Sequence, residues 1–304
     1  MTRYYAKLLL FGEHVVIKGS QALAIPFRRF EGHWQLPNEA SLAASLQQNL
    51  PKWLDYLSMT RDSDQSLATL DLERFAQELE QGLYFESNIP TGYGAGSSGA
   101  LVAAVYDRYA LDPISRDNTA GYPQLKMILG QMESFFHGAS SGADPLICYV
   151  NRPLLFDHQG KIEPVGISPA PEGDAHALFI VDTGIRRQTG PLVQGFLKRC
   201  EDRDYENIVL ADLIPATENA IALYLHGDRQ ALFQEWHELS HLQFRYMPEM
   251  IPAAWREAWL HGLSAGDFKL KLCGAGGGGF ILGIARSLEA ARRYFQDYPL
   301  YPVT

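Results

Sequence analysis

The sequence predicts a mixed α+β protein divided into two domains. Short apolar strand patterns alternate with amphipathic helical patterns without a repeated β-α-β rhythm, which favours α+β over a doubly wound sheet. The 304 residues exceed what a single hydrophobic core usually serves. Ser168–Ala175 (SPAPEGDA) combines proline, glycine and acidic residues, as linkers do. We therefore expect an N-terminal domain over residues 1–170 and a C-terminal domain over residues 171–304.

The first half of the chain predicts strands and helices in mixed order. An apolar run predicts a strand at Lys7–Phe11, and VVIK and ALAIPF look like two further strand pieces around a Lys18-Gly19-Ser20 turn. Residues at helical spacing predict helices over Ser41–Leu57, Leu70–Leu83, Ser98–Tyr109 and Tyr122–Phe136, and Tyr84–Ile89 predicts a strand that Pro90 ends.

The second half of the chain also predicts both strands and helices. ALFIVDT predicts a buried strand, and the end of the chain predicts strand KLKL, a glycine turn and strand FILGI. Amphipathic spacing predicts helices over Leu192–Lys198, Tyr205–Leu225, Arg229–Tyr246 and Leu288–Gln296.

Charge and cysteine content narrow the partners and the compartment. The net charge is −9 and no dense Lys/Arg run occurs, so we expect neither nucleic acid nor an anionic membrane as partner. Cys148, Cys200 and Cys273 are widely spaced and form no CxxC pair, which indicates a reducing compartment. We see no signal peptide, and no segment approaches the roughly 18 apolar residues of a membrane helix. We expect a soluble cytoplasmic protein.

The stretch Gly92–Gly99 (GYGAGSSG) is open to three interpretations by itself: a linker, a dinucleotide-binding turn or a phosphate-binding loop. Glycines bring the backbone close to a ligand, and a helix that begins just after them offers free N–H groups to phosphate. A Walker A loop is excluded because no lysine follows the glycines. The pattern G-x-G-x-x-G occurs at Gly94–Gly99 and again at Gly274–Gly279, in incompatible contexts, so it carries little weight.

The segment His237–His241 (HELSH) matches the HExxH pattern of zinc hydrolases. No third ligand follows it, and Pro248 and Pro252 soon interrupt the helical pattern. We favour an amphipathic helix that happens to carry two histidines, and zinc hydrolysis is the least favoured function.

Three segments in order resemble the motifs of the GHMP kinase superfamily, which includes galactokinases, homoserine kinases, mevalonate kinases and phosphomevalonate kinases. They are AKLLLFGEHVVIKG at Ala6–Gly19, PTGYGAGSSGA at Pro90–Ala100 and KLCGAGGGGFILGI at Lys271–Ile284. Two more, Glu133–Asp144 (ESFFHGASSGAD) and Arg187-Gln188-Thr189, are similar to segments of the mevalonate kinase branch.

The resemblance implies a fold and a reaction. The fold would be that of a two-domain GHMP kinase, with an N-terminal domain like ribosomal protein S5, a ferredoxin-like C-terminal α/β sandwich and the active site in the cleft between them. The reaction would be Mg²⁺-dependent transfer of phosphate from ATP to a small carboxylated alcohol, most directly the C5 hydroxyl of mevalonate. Such transfer depends mainly on positioning and charge stabilisation.

The resemblance also assigns residues to roles. Asp144 would be the base that accepts the proton of the alcohol, with Lys7 beside it, and Ser98 and Glu133 would hold Mg²⁺. The ATP contacts it implies are Gly92, Gly94, Ala95, Gly96, Ser97, Ser98, Gly276 and Gly277, and the substrate contacts are Glu13, His14, Arg187 and Thr189.

The chain departs from the family pattern at several positions. Tyr5-Ala6 precede Lys7 where the family has Pro-Gly, Gly99 stands where motif two ends in alanine, and Ser140 replaces a proline. The departures bear on the substrate, so phosphomevalonate or another small alcohol is the alternative within the family. A catalytically silent ligand sensor is the alternative from another class, and a homodimer is left open.

Overall fold

The protein divides into two compact units. The structure, a computed structural model, describes residues 2–36, 49–63, 66–167, 176–187 and 189–303. Unit 1 comprises Met1–Lys7, Pro26–Pro90 and Ala95–Arg152, and unit 2 comprises Leu8–Ile25, Thr91–Gly94 and Pro153–Thr304. The expected linker Ser168–Ala175 lies outside the described residues, and the division of the chain at residues 170 and 171 stays a prediction.

Unit 1 is mainly helical and also contains part of the first sheet. Its elements are α1 (Leu50–Asp62), α2 (Leu72–Glu80), β3 (Tyr84–Ser87), α3 (Ser97–Tyr109), α4 (Tyr122–His137) and α5 (Ala143–Val150), together with parts of β1 (Tyr4–Phe11) and β2 (Ala22–Gln35). β3 pairs antiparallel with β2, which places Trp34 opposite Phe85 with their rings edge to face at 5.5 Å. α3 is buried along most of its length because small residues line it, so it forms the centre of the unit.

Unit 2 contains the second sheet and the C-terminal helices. Its elements are β4 (Leu154–Phe156), β5 (Ile162–Pro164), β6 (Ala177–Asp182), α6 (Thr189–Arg199), α7 (Arg203–Ile208), α8 (Ile214–His226), α9 (Arg229–Tyr246), α10 (Arg256–Ala265), β7 (Phe268–Leu272), β8 (Phe280–Ala285), α11 (Leu288–Tyr294) and β9 (Leu300–Pro302). Within the described part of the chain, the second sheet consists of four strands in the order β7-β8-β6-β9, and each neighbouring pair is antiparallel.

The first sheet has five strands among the residues that the structure describes. It runs in the order β1-β2-β4-β5 with β3 also paired to β2, and β1 and β2 contribute residues to both units. β4 is antiparallel to both β2 and β5. Helices combined with two sheets whose described pairs are antiparallel confirm the α+β class predicted from the sequence.

The segment VVIK differs from its prediction. Val15–Lys18 forms a 3-10 turn and not a strand. Its β-branched composition favours a strand, but Gly12 before it and Gly19 after it both adopt positive φ, +101° and +93°. The chain changes direction at each of these glycines, so the residues between them form one short helical turn and do not extend into a strand.

The predicted helix Tyr205–Leu225 is observed in three pieces. A π turn at Val209–Leu213 separates α7 from α8. Pro215 lies in the first turn of α8 and cannot donate the hydrogen bond that a continuous α-helix needs there. A π turn is one way in which a helix absorbs such a mismatch.

The stretch Arg203–His226 is long and apolar enough to cross a membrane by length and composition, with a mean hydropathy of 1.4 over its best window. No membrane-spanning helix was expected here from the sequence, because Asn207, Asp212 and Glu218 interrupt the apolar run. Of that window, 39% is buried within the protein. Glu218 accepts a hydrogen bond from the Gln21 backbone at 3.1 Å, a contact typical of a helix packed into a folded unit.

Candidate active site

The glycine-rich stretch ends at the start of α3. Gly92, Gly94 and Gly96 all adopt positive φ, between +66° and +79°, a region that glycine enters without steric cost. Ser97 and Ser98 form the first turn of α3, and no side chain among the described residues caps this terminus. The first N–H groups of the helix therefore have no side-chain acceptor, and a helix terminus of this kind can accept an anion.

Lys7 and Asp144 form an ion pair in unit 1. The Lys7 Nζ lies 2.7 Å from Oδ1 of Asp144. The Lys7 amide also donates to the Ala95 carbonyl at 2.9 Å, which fixes β1 against the glycine stretch. A Cβ on Gly96 would lie 2.9 Å from Cγ of Lys7, so glycine at this position lets the lysine side chain pass.

Ser98 and Glu133 meet beside that ion pair. The Ser98 hydroxyl donates to Oε1 of Glu133 at 2.8 Å, and the Ser140 hydroxyl donates to Oε2 at 2.5 Å. Nε2 of His137 lies 3.0 Å from the Ser98 hydroxyl. Both oxygens of the Glu133 carboxylate are thus held in place by serine hydroxyls.

The electrostatic state of Glu133 reflects its surroundings. The side chain is buried, which raises the pKa of the carboxyl because the charged form is desolvated, and the nearby Asp144 raises it further. The hydrogen bonds from Ser140 and Ser98 act in the opposite direction. A carboxylate that is buried beside a second acid is a place where a cation would be stabilising.

Three glycines bring these side chains together. A Cβ on Gly99 would lie 2.9 Å from the Pro145 backbone nitrogen, so glycine lets α3 approach the start of α5, where Asp144 lies. A Cβ on Gly142 would overlap the Lys126 carbonyl, and one on Gly130 would lie 3.1 Å from the Gly142 nitrogen. The loop that carries Ser140 therefore packs directly on the backbone of α4.

In unit 2 the glycine turn between β7 and β8 is tightly packed. The Gly277 amide donates to the Met250 carbonyl at 2.6 Å, and a Cβ on Gly276 would lie 2.5 Å from that carbonyl. The Gly279 amide donates to the Ile185 carbonyl at 2.7 Å. These glycines serve close backbone packing, and the predicted contacts of Gly276 and Gly277 with ATP stay predictions.

Arg187 lies between the two glycine segments of unit 2. Its amide donates to the Gly92 carbonyl at 3.0 Å, and its Nη1 donates to the Cys273 carbonyl at 2.7 Å. Thr189 begins α6, but its side chain and the whole of Gln188 lie outside what the structure describes. The predicted substrate role of Thr189 therefore stays a prediction.

Glu13 forms a buried ion pair with Lys271. The Lys271 ammonium has no exposed surface and donates to the Glu13 carboxylate and to the carbonyls of Leu10 and Leu272, both at 2.7 Å. An ammonium has three donors, and these three acceptors satisfy them. The predicted contact of Glu13 with a substrate remains untested, and its carboxylate already anchors the end of β1 to β7.

His14 has unusual backbone and side-chain surroundings. Its φ is +62°, which is uncommon for a residue other than glycine. Nε2 lies 3.0 Å from the Ala275 carbonyl and must therefore carry the proton. Burial lowers the pKa of the imidazole, so the neutral form prevails. Nδ1 is then a buried acceptor without a partner among the described residues, consistent with the predicted substrate contact.

Several residues at these clusters were not singled out by the sequence. Ser140 was noted only as a replacement for a family proline, and its bond to Glu133 depends on a loop that returns to α4. Lys271 belongs to the third motif, yet its burial could not be inferred from the KLKL pattern.

Magnesium fits the Ser98–Glu133 pair only together with a nucleotide. Among the described residues no group of three or more His, Cys, Asp or Glu side chains could hold a metal, the HELSH segment on α9 included. Mg²⁺ usually takes one or two carboxylates and completes its shell with water and phosphate oxygens. A hydroxyl and a carboxylate at the start of α3 are a donor set of that kind.

Comparison with known proteins bears out the motifs. Residues 66–152 match the family model of the GHMP kinases N terminal domain. The resemblance predicted from the motifs is thereby borne out over that part of the chain. The chain is 26% identical over 301 residues to a mevalonate kinase of Aeropyrum pernix, an alignment that covers 94% of this chain and 88% of the relative. Relatives of this kind confirm the kinase class predicted from the motifs.

Solved structures confirm the predicted fold. The mevalonate kinase of L. major in complex with R-mevalonate has a TM-score of 0.64 at 17% identity, covering 97% of this chain and 89% of that one. The Streptococcus pneumoniae phosphomevalonate kinase in complex with phosphomevalonate and AMPPNP has a TM-score of 0.63 at 13% identity, covering 99% of both chains. At such identities the likeness establishes the GHMP kinase fold.

Proposed function

We propose that this protein is a GHMP kinase that transfers the γ-phosphate of ATP to a hydroxyl of a small carboxylated alcohol, and that the alcohol is mevalonate, phosphorylated at its C5 hydroxyl. The observation that carries the proposal is the arrangement in unit 1. The Lys7–Asp144 ion pair lies beside the Ser98–Glu133 pair at the N-terminus of a helix. A base with its cation, a metal-ligating pair and a phosphate-binding terminus are the parts that phosphoryl transfer needs.

The proton of the alcohol goes to Asp144. Its side chain is 38% exposed, so a substrate hydroxyl can approach it, whereas that of Lys7 is only 7% exposed. Lys7 holds the carboxylate in place and stabilises negative charge as it develops on the attacking oxygen.

The glycine-rich stretch and the start of α3 hold the phosphates. In this proposal the N–H groups from Gly94 to Ser98 face the nucleotide, where the positive end of the helix dipole adds to them. Ser98 and Glu133 are the protein groups that would hold Mg²⁺, which would supply neutralisation of charge on the phosphate oxygens.

The carboxylated substrate is favoured by the residues of unit 2. Arg187 can pair with a carboxylate through two N–H donors, which a neutral sugar would not require. Nδ1 of His14 can accept a hydrogen bond from a substrate hydroxyl, since Nε2–H is engaged by Ala275.

The proposal is tested by assaying ADP release with Mg·ATP and one alcohol at a time: mevalonate, phosphomevalonate, homoserine or galactose. We expect mevalonate to give the highest kcat/KM. A higher kcat/KM with phosphomevalonate would reassign the substrate within the family. No turnover with any of the four would overturn the proposal and favour a ligand sensor. Metal analysis of the purified protein separately tests zinc at HELSH.

A further inference from the structure

The side chain of Arg187 occupies a space that two glycines leave open. Gly94 comes from the glycine-rich stretch before α3, and Gly274 from the turn after β7, and both belong to unit 2 with Arg187. A Cβ on Gly94 would overlap Nη2 and Cζ of the arginine and lie 2.9 Å from its Nε. A Cβ on Gly274 would lie 2.7 Å from Nη2 and 3.0 Å from Nη1.

The arginine is also fixed at both ends. Its own amide donates to the Gly92 carbonyl at 3.0 Å, and Nη1 donates to the Cys273 carbonyl at 2.7 Å. The backbone of Arg187 is therefore held by one hydrogen bond and its guanidinium by another, in the space that the two glycines leave open. An arginine held in this way loses little conformational freedom when it binds an anion.

Gly92 provides an internal comparison. Gly92 and Gly94 both have left-handed φ, +78° and +66°, so a side chain at either position carries a similar backbone cost. A Cβ on Gly92, however, would meet only the side chain of Arg186, at 3.7 to 3.9 Å, which is ordinary van der Waals contact. The steric demand for glycine is thus specific to Gly94.

We infer that Gly94 and Gly274 form a slot that positions the Arg187 guanidinium, so that the missing side chain of Gly94 positions the substrate-binding arginine, a role separate from any contact of the Gly94 N–H with the ATP phosphates. The part of this inference that concerns substrate rests on the proposed function, whereas the slot itself does not.

A double-mutant cycle on the full-length protein tests the inference. The variants are Gly94→Ala, Arg187→Ala and their combination, with Gly92→Ala, alone and combined with Arg187→Ala, as the matched control. We expect Gly94→Ala to raise the KM for mevalonate about tenfold, with a smaller change in the KM for ATP. We expect the Gly94→Ala/Arg187→Ala variant to be no worse than Arg187→Ala, and the effects of Gly92→Ala and Arg187→Ala to add. Additive effects of Gly94→Ala and Arg187→Ala, or a rise confined to the KM for ATP, would overturn the inference.

Thermal unfolding of the same variants without ligands gives a second readout. The Tm lost in Gly94→Ala should be largely restored when Arg187→Ala removes the overlapping guanidinium. Should Gly94→Ala fail to fold, the double variant is expected to fold, and failure of both would overturn the slot. Because this measurement needs no substrate, absence of mevalonate turnover in the wild type would refute the proposed function without affecting the test of the slot.

Discussion

The ammonium of Lys7 lies 2.7 Å from the carboxylate of Asp144, and the two side chains differ greatly in exposure, at 7% and 38%. The lysine belongs to β1 and is held from within the unit, while the aspartate begins α5 and remains accessible. An ion pair with one buried and one accessible member has a fixed orientation, which is what a general base and its cation require.

Ser140 is expected to tune the metal affinity of Glu133. Ser140→Ala removes the donor to Oε2, and a hydrogen bond to a charged group contributes about 1.5–3 kcal/mol. We expect the Mg²⁺ concentration for half-maximal activity to rise at least about tenfold, and binding of Mn²⁺ with ATP, followed by electron paramagnetic resonance, to weaken in parallel. Ser140→Thr should retain the wild-type values.

Ser134→Ala is the control for that prediction. The Ser134 hydroxyl lies on α4, the helix that carries Glu133, but it donates to the Gly130 carbonyl at 2.8 Å. Equal losses in Ser140→Ala and Ser134→Ala would contradict a specific role for Ser140.

Gly99→Ala should be harmful although alanine is the residue expected from the family pattern. The added Cβ would lie 2.9 Å from the Pro145 nitrogen and 3.0 Å from the Asp144 carbonyl carbon. Overpacking of this kind typically costs about 1–3 kcal/mol, more than the roughly 1 kcal/mol that alanine gains over glycine in a helix. We expect a lower Tm and a lower kcat, because α5 and Asp144 must shift.

Gly195→Ala is the matched control on α6, since a Cβ there meets nothing within 4 Å. It should raise the unfolding free energy by about 0.5–1 kcal/mol. A Gly99→Ala variant that behaves like Gly195→Ala would contradict the close approach of α3 and α5.

The free enzyme is expected to be more stable without the charge on Glu133. Burial and Asp144 raise the pKa of this carboxyl in the folded protein above its ordinary value of 4.5. Wild-type stability should therefore rise as pH falls through the folded-state pKa toward 4.5. Near neutral pH, without nucleotide, we expect Glu133→Gln to raise Tm by about 1–4 °C while turnover is lost, and the difference in Tm should disappear at acidic pH.

Glu289→Gln provides the comparison, because Glu289 is exposed and pairs only weakly with Arg293 on the surface. We expect no change in Tm from it. A lower Tm for Glu133→Gln than for the wild type would mean that the serine hydrogen bonds outweigh burial.

The Lys271–Glu13 pair is expected to be essential for stability. Lys271→Met leaves the buried Glu13 carboxylate without its cation, a change that typically costs about 3–5 kcal/mol. The variant Lys271→Met/Glu13→Gln should recover a large part of that loss in urea unfolding. Lys161→Met, which breaks an exposed pair with Glu163, should change the unfolding free energy by less than about 1 kcal/mol. A Lys271→Met variant as stable as Lys161→Met would contradict the prediction.

The spacing of apolar residues correctly predicted helices and strands where the flanking residues favour the same structure. Tyr84–Ser87 and Leu72–Glu80 lie where apolar spacing placed them, the helix with Asp71 accepting from the Arg74 amide at its N-terminus. Val15–Lys18 was predicted wrongly because β-branched residues favour a strand only where the chain can extend.

The sequence singled out residues of the candidate site that the structure brings together, but it did not predict their contacts. Order and spacing of motifs singled out Ser98 and Glu133, which lie 2.8 Å apart across two helices. Alternation in KLKL is typical of a strand with one solvated face, yet all five residues of β7 are buried, and Lys271 lies near the rings of Phe11 and Trp236. Whether a strand face is buried depends on the other elements that pack against it, and the sequence of the strand alone does not show which elements these are.

The central claim is that Asp144 accepts the proton of mevalonate's C5 hydroxyl, and Asp144→Asn in a single-turnover reaction tests it most directly. Wild type and variant are mixed with γ-labelled ATP, Mg²⁺ and mevalonate, and the labelled product is identified by mass. We predict 5-phosphomevalonate from the wild type and a rate lower by about 10²–10⁴-fold in the variant, with ATP affinity nearly unchanged. A variant that forms the product at the wild-type rate, or a wild type that forms none, would contradict the account.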